Sequence, residues 1–208
     1  MSKLLELFAG SRSIGNVAEK QKIEVFSVDW KKYDKINLAI DIEELQAKDV
    51  PFVPDVIWAS PDCTTYTIAA ISTHRNGTEP KSEYAKKCDK VNVHFISLIK
   101  DWLKINPNLV FFIENPRGML RKMPFMLEFE RKTIWYCTYG DDRAKPTDIW
   151  TNSKNWIPRP LCHNGNKNCH HQPAPRGSKT GTQGKKGAYE RSKIPQELCE
   201  EIIKSIKL

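Results

Sequence analysis

Lys3-Leu4-Leu5-Glu6-Leu7-Phe8-Ala9-Gly10-Ser11-Arg12-Ser13-Ile14-Gly15 is the stretch on which the reading of this chain depends. It begins as an apolar run with the length of one buried strand and passes straight into a glycine turn, with a helical stretch over 16–22 behind it. Strand, glycine turn and helix start form the arrangement that holds nucleotide-type cofactors. Glycine lets the backbone come close, and the first helical turn offers unpaired N–H groups. A second strand over 23–28 ends in Asp29-Trp30. An acid there is placed to bind ribose hydroxyls, with Trp30 beside it to flank an adenine. A third short run, 36–40, ends in a similar pair, Asp41-Ile42.

Working outward, the apolar run 55–59 opens into Ser60-Pro61-Asp62-Cys63-Thr64-Thr65-Tyr66-Thr67. In an α/β sheet the carboxyl ends of the strands form the crevice that takes ligands, so this cysteine sits where chemistry is done. Taken alone, Cys63 reads equally as a nucleophile or as a small buried hydrophobe. The polar loop 66–82 has the length of a mobile active-site segment. Residues 83–105 read as a helix whose Tyr84, Val91, Phe95, Leu98, Ile99, Trp102 and Leu103 pack into the core. The run 109–113 is a buried strand that delivers Glu114-Asn115 to the same edge, as a structural or a working acid. A helical piece over 119–130, a strand over 132–138 and an amphipathic helix over 194–206 complete the outline.

With 208 residues, 39% of them hydrophobic, the chain is long enough for one good core. It contains no apolar run long enough to span a membrane and no signal-peptide layout, so a cytoplasmic protein is expected, with no membrane partner. Its six cysteines then read as thiols, ligands or a nucleophile rather than as disulfides. Between residues 151 and 193 nine Lys or Arg face a single acid, Glu190, and this segment carries the whole net charge of +8. Such a concentration reads as a polyanion-binding surface or as a solvated tail. Within it, Cys162, Cys169 and His170 are candidates for a structural zinc site. The neighbouring His163 and His171 leave the set open, no fourth ligand is evident, and unliganded loop residues are the alternative.

In their order these features resemble the DNA (cytosine-5) methyltransferase family. Phe8-Ala9-Gly10 with Gly15 is similar to its cofactor turn, and Asp29-Trp30 and Asp41-Ile42 to the pairs that hold S-adenosylmethionine. Pro61-Asp62-Cys63 is similar to its nucleophile loop, Glu114-Asn115 to its acid motif, and Arg143-Ala144-Lys145 to its arginine motif. Residues 189–198 occupy the place of its last motif. The sequence departs from the family in having Arg12 for a glycine, Asp62 for a proline, no Gln before Arg143 and a much reduced recognition region.

The resemblance implies a Rossmann-like α/β fold with three parts. These are a catalytic and cofactor-binding domain at 1–150, a small basic target-recognition segment at 151–193, and a helix at 194–208 packing back. It implies Phe8, Ala9, Gly10, Ser11, Asp29, Trp30, Asp41, Ile42 and Pro61 around S-adenosylmethionine. Cys63 would add to C6 of cytosine, Glu114 would hold N3 and the 4-amino group, and Arg143 would bind O2 or the adjoining phosphate. Lys145, Arg176, Lys179 and Lys185 would contact the nucleic-acid backbone. DNA is the expected partner and RNA the alternative, with a catalytically silent nucleic-acid-binding relative as a third reading. A cysteine suits the task because it is strongly nucleophilic even when a few per cent is thiolate. Asp62 would raise the thiol pKa unless paired, with Arg12 or Arg143 as the expected partner.

Overall fold

The computed structural model describes residues 2–174 and 187–206. The chain runs β1 (Lys3–Leu7), α1 (Ser13–Lys20), β2 (Glu24–Asp29), β3 (Leu38–Ala39), β4 (Val56–Ala59), α2 (Ile71–His74), β5 (Arg75–Asn76), β6 (Glu79–Pro80) and α3 (Glu83–Ile105). It continues through β7 (Val110–Pro116), β8 (Arg131–Trp135), β9 (Pro146–Thr151), α4 (Ala188–Ser192) and α5 (Gln196–Ser205). Seven strands form one sheet in the order β3-β2-β1-β4-β7-β9-β8, and β5 and β6 form a separate hairpin. β1 to β4 and β7 pair in parallel, whereas β9 is antiparallel to both β7 and β8.

Period-2 alternation gives the sheet two apolar faces, as a parallel sheet covered on both sides requires. Leu5, Leu7, Ile57, Ala59, Phe111 and Ile113 face one core with Phe95, Ile99 and Trp102 of α3. Leu4, Val56, Trp58 and Phe112 face the other with α1 and α5. α3 starts at Ser82, whose hydroxyl accepts from the Ala85 N–H at 3.1 Å. Two readings from the sequence are corrected here. Tyr84 is 45% exposed rather than core, and residues 119–130 form two short 3-10 turns, Met119–Lys122 and Pro124–Met126, rather than a helix.

The basic segment is not a free-standing unit at its start. Thr151 ends β9, and Trp156 is buried in the α1–α5 core. Several of its cations are also neutralised by acids. Lys154 meets Glu130, Arg159 meets Glu197 and Glu201, and Lys193 meets Glu190.

The turn after β1 is unusual in its backbone. Phe8, Gly10 and Arg12 all have left-handed φ, at 55°, 46° and 54°. Arg12 holds this costly conformation because its buried guanidinium is fully engaged. Nε donates to Ser27 Oγ at 2.9 Å and Nη2 to Glu19 Oε1 at 2.5 Å, with Glu6 at 3.8 Å. Glu6 in turn accepts from the Gly15 N–H and the Ser27 hydroxyl. A Cβ on Gly15 would lie 2.4 Å from the Glu6 carboxylate, so glycine is what lets α1 approach β1.

Burial pushes the Glu6 carboxyl up to about 7, against the hydrogen bonds and Arg12, which lower it. A carboxyl whose folded pKa is raised favours folding at low pH, and that contribution fades as pH climbs from the usual value of 4.5 through about 7. Wild type should lose roughly 3 kcal/mol across that window from this group, and Glu6→Gln should not show the loss. Denaturant midpoints of the two proteins at either end of the window are the check.

Candidate active site

Register brings the chemistry to one edge. Leu7 pairs with Ala59 and Ala59 with Ile113, so Phe8 and Ser60, just past the ends of β1 and β4, stand level with Glu114, which lies two residues before the end of β7. β9 runs the opposite way, so its beginning lies at that same edge and brings Lys145 there. Tyr136 follows β8, and its N–H donates to the Lys145 carbonyl at 3.0 Å.

Glu114 is buried, and its Oε1 accepts from the Tyr136 hydroxyl at 2.8 Å. Among the described residues Oε2 carries no hydrogen bond. Lys145 Nζ lies 3.9 Å from Glu114 Oε1 and 4.5 Å from the centre of the Tyr136 ring. Desolvation lowers the Lys145 pKa while Glu114 and Cys63 oppose that shift. Cys63 is half-buried in the loop after β4. Burial pushes its thiol up to about 11, with Lys145 pulling down and Asp62 and Glu114 pushing up. Cys63, Glu114 and Lys145 therefore share one electrostatic environment. The thiol is protonated at neutral pH, well short of the few per cent thiolate expected from the sequence.

The Cys63 loop is held from behind by a buried lock that the sequence did not reveal. Arg75 of β5 donates to the Thr65 carbonyl at 3.0 Å and to both oxygens of Asp89, at 2.6 and 3.0 Å. Its guanidinium lies 4.2 Å from the Tyr66 ring centre, and the Tyr66 hydroxyl donates to Asp89 at 2.6 Å. Asn115 Nδ2 donates to the Pro61 carbonyl at 2.8 Å, joining the loop to the end of β7. Its Oδ1 is buried with no partner among the described residues. Gly118 allows the next approach, because a Cβ there would stand 2.4 Å from the Tyr66 carbonyl oxygen.

Several sequence expectations need correction. Arg143 stands beside the Glu114 group, its guanidinium 5.2 Å from the centre of the Tyr136 ring, but does not open toward solvent. It is 1% exposed and turned inward, bonded to the Asp141 carboxylate and to the carbonyls of Arg191 and Lys193. Lys145, expected on the nucleic-acid backbone, is instead the cation beside Glu114. Asp62 is paired with neither Arg12 nor Arg143; it accepts from the Tyr84 hydroxyl and from the Thr64 N–H. The loop 66–82 is structured by α2 and the β5–β6 hairpin. Arg176, Lys179 and Lys185 lie outside the described residues.

On the cofactor side, Asp29 Oδ2 accepts from the Gly10 N–H at 2.9 Å and Oδ1 from the Lys31 N–H at 3.0 Å, so this acid staples the glycine turn to β2. Trp30 is 72% exposed, and Ile42 is core. Asp41 is held by Lys87 Nζ at 2.6 Å. A pocket of about 290 Å³ opens beside the turn, lined by Gly10, Ser11, Arg12, Asn16, Tyr33 and Tyr189 among others. Tyr33 and Tyr189 stand 5.8 Å apart, which brings α4 back over this pocket. The pocket does not reach Asp29, Cys63 or Glu114.

The ligand-type residues of the basic segment gather elsewhere, and with a different membership. Cys137, Cys162, Cys169 and His171 place one donor atom each within 4.8 Å of all the others. His170 is not among them; its Nε2 meets the Asp141 carbonyl oxygen at 3.1 Å. Cys137 was missed because it lies some twenty-five residues earlier in the chain, inside an apolar stretch. Among the described residues no helix is long and apolar enough to cross a membrane.

No protein-family model matches the sequence, and neither does any curated protein. Among solved structures, a triple mutant of DNMT2 from Spodoptera frugiperda is similar over 83% of this chain and 57% of its own, with 17% identity and a TM-score of 0.50. The Dnmt2 methyltransferase of S. pombe is similar over 76% of this chain and 52% of its own, at 16% identity and 0.49. A SAM dependent methyltransferase from Archaeoglobus fulgidus is similar over 73% and 86%, at 11% identity and 0.40. The chain thus spans a little over half the length of the two Dnmt2 structures. At such identities the likeness concerns the fold alone, a mostly parallel, Rossmann-like α/β sheet shared with the DNMT2 structure.

Proposed function

We propose that this protein transfers a methyl group from S-adenosylmethionine to C5 of cytosine in DNA, through a covalent bond between Cys63 and C6 of the ring. The observation that carries the reading is the convergence of Cys63, Glu114 and Lys145 at one strand-end edge, electrostatically coupled and beside the glycine turn.

The residues beside that turn fit the cofactor's chemistry. The polar pocket at Gly10 and Ser11 has Tyr33 and Tyr189 as aromatic walls, and the Trp30 ring stands exposed at the end of β2. S-adenosylmethionine held there supplies an electrophilic methyl group. Asp29 acts by fixing the turn, and Asp41 offers a carboxylate at the end of β3. The remainder of the chemistry belongs to the chain's own side chains. Cytosine C5 is a weak nucleophile until something adds to C6, and the Cys63 sulfur makes that addition. Because its thiol is protonated at rest, addition requires its proton to leave, and the ammonium of Lys145 favours the resulting thiolate. Glu114, with Oε1 held by Tyr136, presents Oε2, and a proton carried there is donated to N3 beside the 4-amino group. It stabilises the charge pushed into the ring and selects cytosine over thymine. Loss of the C5 proton and expulsion of Cys63 restore the ring. Lys145, in the position first given to Arg143, lies within reach of a base held against Glu114. The target base leaves the duplex to enter the crevice. The segment 151–193 serves as the recognition region, and the final helix packs back on the catalytic domain.

Incubation with 5-fluorocytosine DNA and S-adenosylmethionine should trap a covalent complex that Cys63→Ala abolishes. A complex formed on RNA alone would keep the chemistry and change the polymer, and binding without any complex would leave a silent nucleic-acid-binding relative. Glu114→Gln should cut turnover by about 10²–10⁴-fold while cofactor affinity, read by calorimetry, stays nearly unchanged. The rate of Cys63 alkylation should rise about tenfold per pH unit through the neutral range, as for a thiol titrating well above it. At fixed pH Lys145→Gln should slow that alkylation and Asp62→Asn should speed it, since the first removes a group that lowers the thiol pKa and the second one that raises it.

A further inference from the structure

Four ligand-type side chains that the proposed chemistry leaves unused meet in a second place. Cys137 lies in the 3-10 turn Tyr136–Tyr139, directly after β8. Cys162, Cys169 and His171 come from the loop beyond β9. Cys137, Cys162 and His171 are buried, Cys169 is half-buried, and all three cysteines are free thiols. A tetrahedral ion with Zn–S near 2.3 Å and Zn–N near 2.0 Å keeps its donor atoms roughly 3.5–3.8 Å apart. Cys162 Sγ and His171 Nδ1 stand 3.9 Å apart.

The surroundings suit a metal better than bare packing. His171 Nδ1 meets only a sulfur, Cys162 Sγ, and Nε2 is buried without a hydrogen-bond partner among the described residues, a poor set of contacts for an imidazole enclosed beside three sulfurs. Asn166 Nδ2 donates to Cys162 Sγ at 3.3 Å, the kind of outer contact that supports a thiolate ligand. The loop also lacks a core of its own. Between residues 152 and 174 the buried hydrophobic side chains are Trp156 and Cys162. A segment so poor in apolar contacts gains most from a staple.

We propose that Cys137, Cys162, Cys169 and His171 bind one structural zinc ion, which fastens the loop at the start of the basic segment to the catalytic sheet. Four protein ligands leave no open coordination position, so the ion is structural rather than catalytic. Its mechanical effect falls on the stretch that ends in Lys145. The same loop lies along that stretch through the bridge of Gln172 to Arg143 and the contact of His170 with the Asp141 carbonyl. Zinc therefore sets the position of the basic segment relative to the crevice without touching the substrate.

The test is metal content of the full chain, purified under reducing conditions without added metal. Mass spectrometry should find zinc equimolar with protein. Cys162→Ser and His171→Ala should retain at least about tenfold less after dialysis, a loss no smaller than that from disturbing an outer contact. His170→Ala and Cys88→Ser, which lie outside the set, should retain it fully. Should the ligand variants aggregate, exchange of wild type with cobalt is the second measurement. It should give thiolate-to-cobalt charge transfer and the visible bands of a tetrahedral ion. Wild type without zinc, iron in its place, zinc kept in Cys162→Ser, or zinc lost in His170→Ala would each overturn the assignment. These readouts do not depend on methyl transfer, so the zinc site and the proposed function stand or fall separately.

Discussion

The ammonium of Lys145, sunk beside the carboxylate of Glu114, is the constraint that the carboxyl edge of this sheet is arranged around. A charged amine removed from water is strongly disfavoured unless a carboxylate or an aromatic face takes the place of solvent. Here Glu114 lies 3.9 Å away, and the Tyr136 ring closes the other side at 4.5 Å. Each element around the pair keeps it in place. Tyr136 holds Glu114 Oε1 and hydrogen-bonds the Lys145 backbone. Arg143, two residues before the lysine, is pinned by Asp141 and two carbonyls. A third group shares the environment of this pair. A thiol that burial keeps protonated faces a cation that favours its thiolate, so its reactivity depends on small changes nearby.

The parallel half of this sheet was legible because buried parallel strands are short, continuous apolar runs, and each ends where a polar residue must face the crevice. That logic located Cys63 and Glu114 from their strand ends alone. It failed at β9, Pro146–Thr151, whose buried Thr147 and Asp148 disguise a central strand as a turn. Asp148 is tolerated there because Arg121 and Thr133 satisfy its carboxylate, a pairing between residues far apart in sequence. Missing β9 meant missing the reversal that brings Lys145 beside Glu114. The same limit applies to Arg75 and Asp89, which lock the Cys63 loop, and to Cys137. Periodicity carries no information about which distant polar groups will meet. Composition misled in a related way, since several cations of the basic segment are matched by acids that lie outside it or beside them.

The C-terminal part of the chain bears on both halves of the site, and Arg143 is the reason. Its guanidinium stays protonated at physiological pH and offers donors in a fixed plane, so the carbonyls of Arg191 and Lys193 are held at set positions. Those carbonyls lie in the link between α4 and α5. The link places Tyr189 against Tyr33 over the pocket at Gly10, and the Ile194 N–H on Ser13 Oγ at the start of α1. One buried arginine thus joins the stretch bearing Lys145 to the wall of the pocket at Gly10. The Cys63–Glu114 edge and the pocket at Gly10 are thus linked through one buried side chain, although the pocket itself does not extend to Cys63.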